Sequence, residues 1–557
     1  MNKKITELKS LFEKFDIDFY LVPSQDEFLG EYTTEHTNRL KYITGFSGSN
    51  GLAIFSKTEE DYFYTDGRYL IQAKNQLQKG FEILDMVVTP MKDKLAEICK
   101  SGAKIGIDAR MHNAMQIENL LKVIPEEQII CLKDNLVDLV WEARPKRKIS
   151  DITLHPLKYS GEKTLSKKNR VLFLMQESGI DFAIITDPHS VCWLLNIRGN
   201  DLEYTPLVLA RVILHKNGEI ALFCPNPYSE DVKKYFEANK ISVFGEDEFE
   251  SACSELDGKK VFITNKASYF IKKQLSNAVM GQDYCDMLKA CKNKTEIQGA
   301  IDAHIEDAKA VSEVIEWIYK SLEGKKKITE LDVSNKVLEL RKKGKDFVSP
   351  SFPTIAGFKE HGAIIHYIPS KETNKEISDN GILLIDSGGQ YYGGTTDITR
   401  TIAIGEPSKD QIHDFTLVLK GFIGVASRKF DCGTTGANLD VFARKALIEE
   451  GKDYSHGTGH GVGSFLSVHE GPHSISKYST IALSPGMIVS IEPGFYKEGE
   501  YGIRIENLAF VKESTEKGKL EFQMLTLVPI QEKLVDFDML TDEEKEWLKE
   551  YNSRCNL

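Results

Sequence analysis

The segment Gly381-Ile-Leu-Leu-Ile-Asp386-Ser-Gly-Gly-Gln-Tyr-Tyr-Gly-Gly-Thr-Thr-Asp397-Ile-Thr-Arg-Thr-Ile402 indicates how the chain is built. Its apolar first part predicts a buried strand that ends at the carboxylate of Asp386. Four glycines then supply turn chemistry, and the β-branched residues around Asp397 predict a returning strand. Such a hairpin or meander would bring two carboxylates side by side.

The same pattern of a strand that ends in a carboxylate occurs twice more, later in the chain. Met487-Ile-Val-Ser-Ile-Glu492 is one case, and Tyr501-Gly-Ile-Arg-Ile-Glu506 is the other. His460 lies between the two pairs of carboxylates, in the glycine-rich run His456-Gly-Thr-Gly-His460-Gly-Val-Gly463. If these strands adjoin one another, four carboxylates and one imidazole converge on a single site.

Converging carboxylates repel one another and resist burial unless cations neutralise them. One imidazole with four carboxylates suits Mn²⁺, Co²⁺, Zn²⁺ or Fe²⁺, and carboxylate-rich sites favour Mn²⁺. Four carboxylates suffice to bridge two ions about 3.5–4 Å apart, as in two-metal hydrolases. Each acid alone is more typical of a solvated turn, so the pattern by itself leaves both interpretations open. The glycine run fits neither phosphate-binding template, because it lacks G-x-G-x-x-G and a following Lys-Ser/Thr.

An ordered series of motifs in the last half of the chain resembles the pita-bread metallopeptidases, and most closely the three-domain Xaa-Pro aminopeptidases (aminopeptidase P). The motifs are Gly362-Ala-Ile-Ile-His366-Tyr367, Leu384-Ile-Asp386-Ser-Gly388, Gly394-Thr-Thr-Asp397-Ile-Thr-Arg400-Thr401, His456-Gly-Thr-Gly-His460-Gly-Val-Gly-Ser-Phe465, Val468-His469-Glu470-Gly471-Pro472, Glu492-Pro493-Gly494 and Gly502-Ile-Arg-Ile-Glu506-Asn507. The resemblance implies a catalytic domain whose curved antiparallel sheet carries the carboxylates on its inner face. Ligand residue types fill every metal position of that family.

The resemblance also implies a role for each candidate site residue. The implied metal ligands are Asp386, Asp397, His460, Glu492 and Glu506, of which Asp397 and Glu506 are the expected bridging ligands. The implied catalytic residues are His366, His456, His469 and Glu492. The implied substrate-binding residues are Arg68, His366, His469 and Arg504. Taken alone, each of these non-ligand histidines is more typical of a structural residue, and Arg504 is equally compatible with an ordinary ion pair.

The implied activity is metal-dependent release of the N-terminal residue from peptides with proline at the second position. A hydroxide that bridges two divalent ions would attack the carbonyl group of the first residue. Mn²⁺ is the expected metal, with Co²⁺ or Zn²⁺ as alternatives. Because proline lacks an N–H and has a fixed φ, such an enzyme needs a pocket shaped for its ring.

Two alternative functions use the same fold. One is a prolidase that cleaves Xaa-Pro dipeptides, and the other is a non-catalytic pita-bread protein used for binding. A second N-terminal domain argues against a prolidase, which typically has one. The full set of five ligand positions argues against the binding protein, because such relatives have lost their ligands.

The length of 557 residues predicts two to four domains. We expect α/β domains over residues 1–150 and 155–288, followed by the catalytic domain over residues 290–557. Ile17-Asp18-Phe19 and Ile180-Asp181-Phe182 each follow a predicted helix, which favours a duplicated fold. The predicted class is therefore mixed α/β (α+β), with two similar creatinase-like N-terminal domains before a pita-bread catalytic domain.

Composition narrows the range of partners. The formal net charge of -12 argues against a general nucleic-acid binder. The sequence contains no run of about 18 apolar residues, so we expect no membrane span. Nine cysteines without a C-x-x-C motif are typical of reduced thiols in a cytoplasmic protein. The resemblance implies proline-containing peptides as substrates and a second copy of the chain as partner in a homodimer.

Overall fold

The computed structural model describes residues 3–58 and 60–555, which form two compact units. The first unit consists of Met1–Leu154, Lys163–Glu203 and Leu207–Cys285, and the second of His155–Glu162, Tyr204–Pro206 and Asp286–Leu557. The outer limits of the predicted domains, residues 1 and 557, lie outside the described residues. All nine cysteines are free thiols. Among the described helices, none has both the length and the apolar character that a membrane crossing demands.

A six-stranded sheet organises the N-terminal part of the first unit. In spatial order its strands are Phe81–Asp85, Asp61–Thr65, Leu52–Ser56, Phe19–Pro23, Ile105–Ile107 and Ile129–Cys131. The α-helices of this part are Lys3–Ser10, Arg39–Thr44, Leu70–Gln76, Met91–Cys99, Ala114–Leu121 and Leu136–Val140. Phe19 and Leu21 belong to one apolar cluster, whereas Tyr20 and Val22 belong to another. The central strand is therefore buried on both faces, as its continuous apolar sequence predicts.

A second six-stranded sheet repeats this arrangement. In spatial order its strands are Ile241–Phe244, Ile220–Phe223, Arg211–His215, Phe182–Ile185, Val261–Thr264 and Val279–Gly281. Its α-helices are Thr164–Glu177, Pro188–Leu195, Glu230–Ala238, Phe249–Ser254 and Tyr269–Gln274, and the short strands Thr153–Leu154 and Ile197–Arg198 pair nearby.

The two sheets agree in the direction of every neighbouring pair of strands. They also share a detail at the start of the central strand. The backbone N–H of Asp18 donates to the carbonyl oxygen of Lys104 at 2.9 Å, and that of Asp181 donates to Lys260 at 2.9 Å. The predicted duplication of an α/β fold is therefore confirmed.

The second unit contains several small sheets. Their strands are Phe347–Pro350 with Gly389–Tyr391 and Gly394–Thr395; Ile355–Phe358 with Gly381–Ser387 and Ile398–Ile404; Lys429–Asp431 with Lys519–Met524, Asn507–Glu513 and Ile488–Ile491; Gly459–His460 with Ser474–Ile475; and Gly494–Lys497 with Tyr501–Arg504. The α-helices are Leu157–Ser160, Lys294–Glu323, Glu330–Arg341, Lys409–Ala426, Gly436–Glu449 and Asp542–Arg554, and helix Tyr284–Ala290 crosses from one unit to the other. Short 3-10 helices span Ala109–Met111, Glu126–Gln128 and Glu246–Glu248 in the first unit, and Lys359–Ala363, Glu532–Leu534 and Phe537–Met539 in the second.

Two of these sheets carry the acids singled out in the sequence. Strand Gly381–Ser387 pairs antiparallel with Ile398–Ile404, so that Asp386 lies opposite Thr399. Strand Ile488–Ile491 pairs antiparallel with Asn507–Glu513. The backbone N–H of Glu506 donates to the carbonyl oxygen of Thr399 at 3.2 Å, which joins the two sheets at one edge.

The ends of the strands differ from those that the sequence predicts: strand Gly381–Ser387 continues one residue beyond Asp386, whereas the other three acids lie outside the strands. Asp397 lies between two strands, Glu492 directly follows Ile491, and Glu506 lies between Arg504 and Asn507. The physical reason is that the backbone in these places bonds outside its own sheet. The N–H of Glu492, for example, donates to the carbonyl oxygen of Thr458 at 2.7 Å.

Candidate metal centre

His460 lies beside two of the predicted acids. Its Nε2 atom is 3.3 Å from Glu492 Oε1 and 3.5 Å from Asp397 Oδ2. One ligand atom from each of Asp397, His460 and Glu506 lies within 4.8 Å of the others. Atoms at these separations can bind a common ion, so the structure brings together the imidazole and the acids that the sequence places far apart.

Three carboxylate oxygens of this site are buried and have no hydrogen-bond partner among the described residues. They are Asp386 Oδ1, Asp397 Oδ1 and Glu506 Oε1. Buried polar atoms are normally satisfied, and unpartnered anionic oxygens are especially unfavourable. Oxygens of this kind around one imidazole nitrogen are the donor set that a divalent transition metal takes. The residues present therefore fit a metal centre.

The pKa values of the site residues also fit a metal centre. Burial raises the pKa of Asp386 to about 7, although the guanidinium of Arg504 opposes this shift. Burial, reinforced by the nearby Asp397, also raises the pKa of Glu506 well above its ordinary range. Burial would lower the pKa of His460, but Asp397 and Glu492 raise it to about 9. Burial would also raise the pKa of Glu492, but His460 and His456 lower it. The protein alone therefore favours protons on Asp386, Glu506 and His460, and cations would allow the carboxylates to ionise together.

Hydroxyl groups hold the ligand side chains in place. Thr399 Oγ1 donates to Glu506 Oε2 at 2.6 Å. Ser490 Oγ accepts a bond from the backbone N–H of His460 at 2.9 Å and donates to Glu492 Oε1 at 3.0 Å. These bonds leave the second oxygen of Glu506 available to a ligand and fix the direction of Glu492.

Gly459 allows the segment that carries His460 to lie close to Ser490. A Cβ atom on Gly459 would lie 1.9 Å from the carbonyl oxygen of Ser490, which is a severe clash with backbone. The residue next to the candidate ligand must therefore be glycine for the strand Gly459–His460 to reach its position.

Arg504 connects the acids to one of the predicted catalytic histidines. Its NH2 group lies 2.5 Å from Asp386 Oδ2, and its NH1 group donates to the hydroxyl of Tyr496 at 2.7 Å. His456 Nε2 lies 2.8 Å from the same hydroxyl, and its Nδ1 lies 2.8 Å from the carbonyl oxygen of Gly457. Desolvation lowers the pKa of His456 to about 4. The neutral ring therefore donates from Nδ1 to Gly457 and accepts at Nε2 from Tyr496.

The other two predicted histidines lie at the same site. The ring centroid of His469 is 4.4 Å from that of His460, with the planes at 73°. His366 is in the turn directly after Ile365, whose carbonyl oxygen lies 3.5 Å from Arg504 NH2. Both positions are compatible with the predicted roles in catalysis and substrate placement, which remain proposals.

Arg68 belongs to the first compact unit. Its NH2 group donates to Asp66 Oδ2 at 2.8 Å, and its NH1 group lies 3.7 Å from Glu31 Oε1. These partners lie in its own unit, so the predicted role of Arg68 in substrate binding remains a proposal.

Sequence reasoning missed three residues that organise the site: Thr399, Ser490 and Tyr496. Thr399 carried a usable signal, because it lies two residues after Asp397 in an extended segment and so shares its face. Ser490 likewise lies two residues before Glu492. Tyr496 had no comparable signal, since its place depends on the register that pairs Gly494 with Arg504.

Family profiles match nearly the whole chain. Residues 300–513 match metallopeptidase family M24, and residues 518–556 match the C-terminal region of peptidase M24. Residues 4–144 and 143–296 each match a creatinase/prolidase N-terminal domain. These matches agree with the duplicated α/β fold and with the metal site in the second unit.

Two known proteins are similar to this chain over nearly its full length, and a third is similar over part of it. A probable Xaa-Pro aminopeptidase P of Pyricularia oryzae is 36% identical, with 99% of this chain and 94% of the relative covered. The crystal structure of an X-prolyl aminopeptidase from Caenorhabditis elegans, described as a cytosolic enzyme with a di-nuclear active site, has a TM-score of 0.96. It is 33% identical and covers 100% of this chain and 96% of its own. A prolidase from Pyrococcus horikoshii has a TM-score of 0.53 and 25% identity, and covers only 66% of this chain and 99% of its own. On this evidence the chain belongs to metallopeptidase family M24, in the group of the Xaa-Pro aminopeptidases P.

Proposed function

We propose that this chain is a metal-dependent aminopeptidase that releases the N-terminal residue from peptides with proline at the second position. One observation carries the proposal: Asp397 and Glu506, each with a buried carboxylate oxygen that has no hydrogen-bond partner among the described residues, cluster with His460 in the domain that matches the M24 profile. Full-length similarity to proteins named Xaa-Pro aminopeptidase P supplies the substrate class.

In this proposal Asp386, Asp397, His460, Glu492 and Glu506 would hold two divalent ions. Such ions would supply Lewis-acid activation of a water molecule and of the peptide carbonyl group. The preference of carboxylate-rich sites favours Mn²⁺, with Co²⁺ or Zn²⁺ as alternatives.

The remaining residues bind and orient the peptide and move protons. Glu492 accepts the proton of the attacking water, since its side chain is more exposed than that of Asp397, the other acid beside His460, at 17% against 6%. His469, next to His460, donates a hydrogen bond to the oxygen that develops negative charge. His366 and His469 together form the wall against which the proline ring lies, and Arg504 and Arg68 orient the peptide by charge-assisted hydrogen bonds.

The choice between an aminopeptidase and a prolidase rests on the extent of similarity. The prolidase structure corresponds to 66% of this chain, whereas the X-prolyl aminopeptidase structure corresponds to all of it. We attribute most of the extra length to one additional copy of the α/β fold. A prolidase is therefore the second candidate, and its expected substrate is the Xaa-Pro dipeptide.

Three further features belong to the same proposal. We expect separate domains over residues 1–150, 155–288 and 290–557. We expect a homodimer, as the family resemblance implies. We also expect a cytoplasmic location, since the nematode structure is described as that of a cytosolic enzyme.

A substrate panel tests the proposed function. Protein reconstituted with Mn²⁺ would be given the tripeptide Xaa-Pro-Yaa, the tripeptide Xaa-Ala-Yaa and the dipeptide Xaa-Pro, and the released first residue would be measured. We expect cleavage of Xaa-Pro-Yaa alone. Cleavage of only the dipeptide would establish the prolidase, and cleavage of none would leave the five-residue cluster with another function.

A further inference from the structure

The strand Ile398–Ile404 faces the metal site on one side only, because alternate residues of a strand point to opposite faces. On the side of the site, Thr399 Oγ1 donates to Glu506 Oε2 at 2.6 Å and Thr401 Oγ1 donates to the carbonyl oxygen of Arg504 at 2.9 Å. Arg400 points to the other side, where it meets the C-terminal part of the chain.

The guanidinium of Arg400 is buried, and its hydrogen-bond acceptors among the described residues are all uncharged. It connects backbone of the metal site to backbone and side chains of the C-terminal segment. Its bonds are NH1 to Thr399 O at 2.9 Å and to Glu506 O at 2.7 Å, Nε to Pro529 O at 3.2 Å, and NH2 to Asn507 Oδ1 at 2.8 Å, Val528 O at 2.5 Å and Tyr551 OH at 2.9 Å.

These hydrogen bonds stabilise the fold and also fix the relative positions of the groups that accept them. The guanidinium is planar and directs five N–H groups in a rigid fork, so its acceptors must keep fixed relative positions. Two of them are the carbonyl oxygens of Thr399 and Glu506. The side chains of these same residues hydrogen-bond each other, and one of them, Glu506, is a proposed ligand.

The C-terminal helix Asp542–Arg554 holds the other acceptors of Arg400 in place. The hydroxyl of Tyr551 lies 2.9 Å from Val528 O, which is itself an acceptor of the guanidinium. Asn552 binds both backbone groups of Ile530, at 2.9 Å and 3.1 Å. The helix therefore fixes the segment 526–530 against Arg400.

We infer that Arg400 is a positioning residue through which the C-terminal segment 526–554 holds Thr399 and Glu506 in the geometry that binds metal. The inference rests on the proposed metal site. It gives the C-terminal region, which contains none of the predicted site residues, a role in metal affinity.

The affinity of the full-length protein for Mn²⁺, measured by competition with a chelator, tests this inference without any peptide. The variants are Arg400→Met, Arg400→Lys and Tyr551→Phe. Arg198→Met is the matched control, because Arg198 is also buried and donates to backbone carbonyl oxygens of the first unit, those of Cys192 at 3.1 Å and Ile197 at 2.9 Å. Thermal unfolding of each metal-free variant reports the loss of stability separately.

We expect Arg400→Met to raise the Kd for Mn²⁺ about 10- to 100-fold, as loss of a residue behind a ligand does. Arg400→Lys should give a smaller rise, since lysine keeps the charge but not the fork. Tyr551→Phe should raise the Kd about threefold, in line with one hydrogen bond. Arg198→Met should lower the unfolding temperature and leave the Kd unchanged.

A Kd for Arg400→Met that equals the wild-type value, with a stability loss like that of Arg198→Met, would overturn the inference. If Arg400→Met does not fold, unchanged Kd values for both Arg400→Lys and Tyr551→Phe would overturn it equally. Wild-type protein that binds Mn²⁺ but cleaves no Xaa-Pro peptide would contradict the proposed function alone, because the Kd comparison does not depend on cleavage.

Discussion

Arg504 NH2 lies 2.5 Å from Asp386 Oδ2, and this buried ion pair joins the strand Tyr501–Arg504 to the strand Gly381–Ser387. The same guanidinium donates to Tyr496, whose hydroxyl also meets His456. One arginine therefore fixes a proposed metal ligand and, through a tyrosine, a proposed catalytic histidine. Removing one member of a buried ion pair is far more damaging than its net stabilisation suggests, because the partner stays buried and charged.

Arg504→Lys should lower the affinity for Mn²⁺ about 10- to 100-fold, because lysine cannot bind Asp386 and Tyr496 together. The Kd for Mn²⁺ and the rate of Xaa-Pro-Yaa cleavage at saturating Mn²⁺ would both be measured. Tyr496→Phe is the companion variant, since it keeps the ion pair and removes the hydroxyl. It should leave the Kd near the wild-type value and lower kcat, and the reverse pattern would contradict this account.

Gly459→Ala should abolish metal binding, since its Cβ would lie 1.9 Å from the carbonyl oxygen of Ser490 and push His460 away from Glu492. Gly457→Ala is the control in the same loop, because the nearest atom to its Cβ would be 3.5 Å away. Isothermal titration with Mn²⁺ distinguishes the two variants. Equal binding by both would show that the approach of the loop to Ser490 is not required.

Much of this site could be predicted from the sequence because its ligands follow local rules. Asp386, Asp397, Glu492 and Glu506 each lie at or just beyond the end of an apolar or β-branched run, and period-two alternation predicts which face they share. The duplicated α/β fold was predicted because Ile17-Asp18-Phe19 recurs as Ile180-Asp181-Phe182, each time after a predicted helix. The equivalent strand order of the two sheets confirms it.

The remaining contacts depend on pairings between segments far apart in the chain. The contact of Arg400 with Tyr551 joins residues 151 positions apart, and no periodicity in either segment encodes it. The bonds of Tyr496 to His456 and Arg504 likewise require the register of one strand pair and the path of a glycine-rich loop. Two predicted strand ends were also wrong: Glu492 and Glu506 lie outside the strands, and the backbone N–H of Glu506 donates instead to the carbonyl oxygen of Thr399.

His112 should retain a depressed pKa in the folded protein, because it is buried at 3% exposure and its Nε2 has no hydrogen-bond partner among the described residues. Desolvation lowers its pKa to about 4, although Asp108 opposes the shift. A depressed pKa contributes stability that is present above pH 6.5 and is lost as the pH falls towards 4, about 3 kcal/mol in all.

Deuterium exchange at C2 of the imidazole, followed by mass spectrometry, gives this pKa residue by residue. His413, which is exposed and paired with Glu450, is the internal reference for an accessible ring. A transition for His112 near 6.5 in the folded protein would contradict the predicted burial. His112→Asn should also unfold with a weaker dependence on pH between 6.5 and 4.

Metal removal should destabilise the protein. At a free Mn²⁺ concentration of 100 times the Kd, binding to the folded state alone adds about 2.7 kcal/mol per site. Thermal unfolding of wild-type protein should therefore shift upwards with Mn²⁺, and Asp397→Asn should lose that shift. Asp134→Asn, at an exposed position of the first unit, is the control and should keep it. A full shift in Asp397→Asn would show that the stabilising ion binds elsewhere.

Asp386, Asp397, His460, Glu492 and Glu506 are proposed to form one dimetal site. Anomalous diffraction at the manganese absorption edge, from crystals of the Mn²⁺-loaded protein, would locate the ions. We expect two peaks about 3.5–4 Å apart, with carboxylate oxygens of Asp397 and Glu506 between them. Peaks at any other position, or no peak among these five side chains at saturating Mn²⁺, would contradict it.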